Sequence, residues 1–154
     1  MTATNHAATG AVIAIMVQQP LLALPLALAS HFALDVLPHY GPAYDKRAFH
    51  QTFGNVVAVD IVLFPMTCLM LLFVSGSLWW VVLPAMFLAV SPDFVWAYRY
   101  WREKKGEVLE KNKLTQWHSN IQWGERPWGW IIEIAWFFLI IGVVLQQVVA
   151  KLPT

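Results

Sequence analysis

The chain has 154 residues, enough for one domain, with a hydrophobic fraction of 58% and only 12% charged residues. Soluble domains carry about 25% charged residues, so this composition belongs to the membrane class. A net charge of +1 gives no reason to expect a nucleic-acid partner, and a single cysteine, Cys68, excludes a disulfide framework or a thiolate metal cluster.

The first apolar stretch runs from about Ala7 to Leu37 and is interrupted by Gln18-Gln19-Pro20. It is too long for one span of about 20 residues. Splitting it there predicts a short helix over 4–17 and a second over 20–37, with Pro20 in the first turn, where its missing N–H is not needed. The N-terminus has no Lys or Arg before Lys46, so it lacks the basic region of a signal peptide and reads as part of the fold. Residues 38–54 form a polar connection. A third helix is predicted over about 55–74, a tight turn at Ser75-Gly76-Ser77, and a fourth helix over about 78–98, interrupted near Ser91-Pro92. The long polar segment 99–126 reads as an amphipathic cytoplasmic loop, and a fifth helix follows over about 128–149.

The expected fold is therefore all-α: a single transmembrane domain over 1–154, an integral-membrane bundle of about five helices whose first two form a short hairpin. Four spans are the alternative. Nine of the ten Lys and Arg lie in 38–54 and 99–126, which puts those connections and the N-terminus on the cytoplasmic side. Eight of the tryptophans cluster near predicted helix ends, the pattern of an interfacial aromatic belt.

Titratable side chains gather at one end of these helices. A carboxylate at the bilayer centre costs about 2.5–3.5 kcal/mol on insertion scales, so such groups mark sites. His31 and Asp35 in SHFALDVLPHYG are spaced to share a helix face and meet one ion. Imidazole plus carboxylate suits zinc, or a first-row metal such as manganese. Pro92 removes a helical hydrogen bond just before Asp93 and aims that carboxylate inward. His118 in WHSNIQWGERPWGW is expected on an aromatic-rich surface loop, and His6, His39 and His50 lie on the same rim. Asp60 and Glu133, each about a turn and a half inside its helix, are candidates to orient a ligand histidine or act as general base.

Four pieces of the chain resemble the membrane-bound, metal-dependent hydrolases of bacterial inner membranes: Asn5-His6 before a small-residue helix, Ser91-Pro92-Asp93, His118-Ser119, and Ser30-His31 through Asp35 and Pro38 to Gly41. The resemblance implies His6, His31, Asp35, Asp93 and His118 as metal ligands. Where that family continues its PD motif to a second Asp and a His, this chain has Phe94, Val95 and Trp96. The expectation is a membrane-embedded metal-dependent hydrolase at the cytoplasmic interface of the inner membrane, with membrane lipids as partners and a lipid or lipid-linked phosphoester as substrate. The alternatives are a non-enzymatic membrane protein with a structural metal or ligand site, and a proton- or ion-coupled transporter subunit relaying through Asp60 and Glu133.

Overall fold

A computed structural model describes residues 1–41, 46–110 and 112–149, with the side chains of 46–50 and 148 outside the description. His50 is among those side chains. The chain is mostly helical, and seven α-helices occur among the described residues: α1 (Ala3–Val17), α2 (Pro20–Val36), α3 (Lys46–Ser75), α4 (Trp79–Val90), α5 (Phe94–Lys104), α6 (Lys113–Ile121) and α7 (Trp130–Val149).

The break between α1 and α2 falls at Gln18, which adopts a left-handed conformation (φ 57°) and donates its N–H to the Ala14 carbonyl, closing the helix. Pro20 then opens α2. The helix expected over 55–74 starts nine residues earlier, because 46–54 contain no proline and Phe53 stacks on Tyr100 of α5, their ring centres 4.8 Å apart. Its partner is broken at Ser91–Asp93 by a 3-10 turn, where Pro92 frees the Leu88 carbonyl and the Ser91 hydroxyl donates to it at 3.0 Å. The segment 99–126 is no simple loop. It carries the rest of α5 and a separate helix, α6, capped by the Asn112 side chain, which accepts from the Thr115 N–H at 2.8 Å.

α1 is the centre of the molecule, packed by α2, α3, α4 and α7 and buried on nearly every side. Small residues allow this: Ala7, Ala8, Ala11 and Ala14 meet Ala23, Ala27, Ala85 and Ala89 in the core. A methyl group added at Gly10 would lie 2.7 Å from the Ala85 carbonyl oxygen, so only glycine fits where α1 crosses α4. The large apolar side chains point the other way. Leu21, Ile61, Leu69, Phe73, Phe87 and Phe138 are exposed on the outer faces. The continuous helical stretch Gln51–Lys104 and the helix Trp130–Gln147 are long and apolar enough to cross a membrane, whereas α1 and α2 are shorter.

Two two-residue strands, β1 (His39–Tyr40) and β2 (Glu125–Arg126), pair in parallel, with His39 opposite Glu125. They clamp the segment after α6 against the end of α2. Gly124 makes the close approach possible, since a Cβ there would sit 2.6 Å from the Leu37 carbonyl oxygen. That clamp holds α6 over the last turns of α2.

Candidate metal centre

Three helical elements deliver four side chains to one buried point. His31 and Asp35 come from the last two turns of α2, His118 from α6, and Asp93 from the 3-10 turn after α4. One ligand atom from each lies within 4.8 Å of every other, a group that could hold a metal ion. His6, from the first turn of α1, joins them: its Nε2 is 3.3 Å from Asp35 Oδ1 and 3.8 Å from Asp93 Oδ2. All five positions taken from the resemblance therefore converge.

The ring nitrogens of His31 and His118 meet one another and the Asp35 carboxylate in a tight cluster. His31 Nδ1 lies 2.7 Å from the Ala89 carbonyl oxygen, which can only accept, so Nδ1 carries the hydrogen and the neutral ring presents a lone pair at Nε2. That Nε2 is 3.2 Å from Asp35 Oδ2, 3.7 Å from Asp93 Oδ1 and 3.2 Å from His118 Nε2. His118 Nε2 is in turn 3.1 Å from Asp35 Oδ2. Lone pairs and carboxylate oxygens thus crowd together, and one proton cannot serve every contact. Among the described residues neither buried ring nitrogen of His6 makes a well-aligned hydrogen bond, although Nε2 lies 3.3 Å from Asp35 Oδ1. An imidazole held beside two carboxylates is satisfied by a proton or a metal ion shared with them.

The separations match a shared ion. Two ligands on zinc, each about 2.0–2.1 Å from it, lie about 3.3 Å apart along a tetrahedral edge. The His31–His118 nitrogen contact and the contacts of His6, His31 and His118 with the Asp35 oxygens span 3.1–3.3 Å, while Asp93 stands farther off at 3.7–3.8 Å. The Met1 ammonium also lies 3.0 Å from Asp35 Oδ1, a cationic neighbour already drawn to this carboxylate. The His31 Nδ1–carbonyl contact is the second-ring-nitrogen bond that orients metal-binding histidines.

Aromatic rings hold the histidines in place. His6 stacks on His31 with centroids 4.1 Å apart, and His118 is wedged among Phe32, His31 and Trp96. His118 sits on a helix, not in the surface loop expected for it, and is buried. Only Asp93 of the group is part-open, with its side chain 23% exposed.

Asp60 and Glu133 stand apart from this centre. Asp60 accepts from the Ala3 and Thr4 N–H groups at 2.9 and 3.1 Å and from the Thr4 hydroxyl at 2.6 Å. Glu133 accepts from the Thr2 and Tyr40 N–H groups, both at 2.9 Å, while its backbone carbonyl receives the Asn5 amide. Together they satisfy the free N–H groups at the head of α1, which carries His6. His39 is buried and its Nδ1 donates to the Leu37 carbonyl at 2.8 Å, outside the ligand group. Burial pushes its imidazole down to about 4, so it stays neutral.

Sequence reasoning missed the Ala89 carbonyl, because a backbone acceptor leaves no residue-type signature. It also missed Gln122, whose side-chain amide approaches Asp35 Oδ2 at 3.5 Å. Comparison of the chain with protein-family models, with curated proteins and with solved structures gave no match. The assignment therefore rests on the chemistry of the centre.

Proposed function

We propose that this protein is a membrane-embedded, metal-dependent hydrolase whose centre lies at the cytoplasmic face of a bacterial inner membrane and acts on a lipid or lipid-linked phosphoester. The observation that carries the reading is the convergence of His31, Asp35, Asp93 and His118 on one buried point, with the His6 imidazole 3.3 Å from Asp35 beside them. Three imidazoles and two carboxylates suit zinc or manganese. The outward display of large apolar side chains over a core of small ones supports lipid as the surrounding medium, and the placement of Lys and Arg supports the orientation.

A divalent ion held here supplies Lewis acidity and a bound water that ionises near neutral pH. His31, fixed by the Ala89 carbonyl, and His118, packed on Trp96, would hold the ion through their ring nitrogens. Asp35 neutralises the charge from the buried side. Asp93, part-exposed on the open side, is placed to receive a proton from the attacking water. Asp60 and Glu133 act as positioning residues by fixing the head of α1 and with it His6. A part-open carboxylate favours this reading over a closed structural metal site, where protein ligands complete the shell.

The experiment is a hydrolysis screen of the detergent-purified chain, loaded with zinc or manganese, across phosphoesters, carboxylic esters and amides. Turnover that disappears with a chelator and with His118→Ala is expected. A fully metal-loaded protein inert across the whole panel would overturn the hydrolase and leave the structural site.

A further inference from the structure

The open side of Asp93 leads into a cavity of about 1370 Å³. This exceeds the roughly 300–1,000 Å³ of pockets that enclose drug-sized ligands. Its α3 wall runs from Thr52 to Pro65, 13 residue steps and about 20 Å of helix. One leaflet of a bilayer offers hydrocarbon about 15 Å deep. The wall is therefore long enough for a headgroup and the first part of an alkyl chain, the rest of which would leave the cavity past Ile61.

Its chemistry changes along that length. Towards the middle of α3 the lining is Asp60, Ile61, Phe64 and Pro65, and Val90 and Phe94, on either side of Asp93 in the chain, line the cavity too. Towards the other end it is polar and of mixed charge, with Arg99 and Arg126 beside Glu103, Glu107 and Glu125. Asp93 lies at the boundary, because Val90 and Phe94 flank it in the chain and α5 leads from it to Arg99. Ile61, on the apolar wall, is 69% exposed, so this end opens sideways between helices to whatever surrounds the bundle.

We propose that the cavity binds a long-chain amphiphile, chain against α3 and headgroup under α6, so that the bond joining chain to headgroup lies at Asp93. This rests on the metal-dependent hydrolase reading and deepens it. Water adds across that junction: its oxygen bonds to the electrophilic atom of the headgroup, that atom's bond to the chain oxygen breaks, and the chain oxygen takes up a proton. The alcohol end stays with the lipid and the headgroup leaves on the polar side. Ile61 and Val57 then determine which chains enter.

The probes are hexadecyl phosphate and inorganic phosphate, with binding measured to the detergent-purified full chain with and without added zinc. Hexadecyl phosphate is expected to bind at least about tenfold more tightly, since excluding two methylenes, at about 0.8 kcal/mol each, already costs that factor. Ile61→Trp, at an exposed position that tolerates bulk, should weaken hexadecyl phosphate by about tenfold and leave inorganic phosphate and zinc content unchanged. Val57→Trp, nearer the centre, should do the same. Equal affinities for the two phosphates, or Trp variants that bind hexadecyl phosphate like the parent, would overturn the proposal even where zinc binds stoichiometrically. A Trp-sensitive preference for hexadecyl phosphate in a chain that takes up no metal would uphold the amphiphile cavity and remove the hydrolase.

Discussion

Two pairs of carboxylates look alike in the sequence and live in opposite surroundings. Asp35 and Asp93 face imidazole nitrogens, at least one of which presents a lone pair. Asp60 and Glu133 face backbone N–H groups at the head of α1. A carboxylate supplied with donors is satisfied by the protein alone. A carboxylate set among imidazole nitrogens can share a metal ion with them, and Asp35 is so placed beside the Met1 ammonium at 3.0 Å. Burial and an apolar helix therefore do not by themselves mark a ligand, and the partner atoms decide which carboxylate binds metal and which builds the fold.

The comparison breaks first at the ligands. His118→Ala removes one of three imidazoles and should lower zinc affinity by more than the roughly 10–100-fold that losing an outer-shell partner costs. Isothermal titration on the detergent-purified protein checks this. An unchanged affinity would move His118 to a packing role among Phe32 and Trp96. Asp93→Asn should weaken zinc less than Asp35→Asn does. Asp35 touches three histidines at 3.1–3.3 Å, whereas Asp93 approaches two at 3.7–3.8 Å. The reverse order would place the ion on the open side.

The other pair predicts a different defect. Asp60→Asn replaces an oxygen acceptor at α1 with an amide that cannot serve both N–H groups, and should lower unfolding free energy by about 1–3 kcal/mol. Zinc stoichiometry of the folded fraction should hold. Denaturant titration beside metal analysis separates the two effects, and a stable Asp60→Asn chain with no zinc would reverse the roles assigned here.

The smallest effect concerns pH. His39 is neutral with its pKa lowered to about 4, so the unfolded chain binds the extra proton between its ordinary 6.5 and that value. Stability from this group is full above pH 6.5 and falls as pH drops towards 4. His39→Gln should flatten that part of the stability–pH curve, and an unaltered slope would assign it to other groups.

Much of this was legible in the chain and some of it was not. Gln18-Gln19-Pro20 marked the break between α1 and α2 because a proline's missing N–H suits a helix start. His31 and Asp35 were legible as a pair because helical spacing alone puts them on one face. Apart from the resemblance, His6 was visible only as a neighbour on the same rim, since its role depends on α1 being the central helix. The helical setting of His118 was hidden behind a polar, tryptophan-rich composition, although Asn112 and Thr115 supplied the capping signal. The distinction between the carboxylate pairs was invisible, because the donors to Asp60 and Glu133 are backbone groups that any sequence would carry.

The central claim is that Asp35 and His31 bind a metal while Asp60 and Glu133 hold the helix that presents His6. It is tested most directly by elemental mass spectrometry of the detergent-purified protein beside the His31→Ala/Asp35→Ala and Asp60→Asn/Glu133→Gln double variants. The account predicts near-stoichiometric zinc or manganese in the parent and in the folded Asp60→Asn/Glu133→Gln chain, and none in His31→Ala/Asp35→Ala. A parent that stays metal-free after incubation with both ions, or equal metal in all three chains, would contradict it.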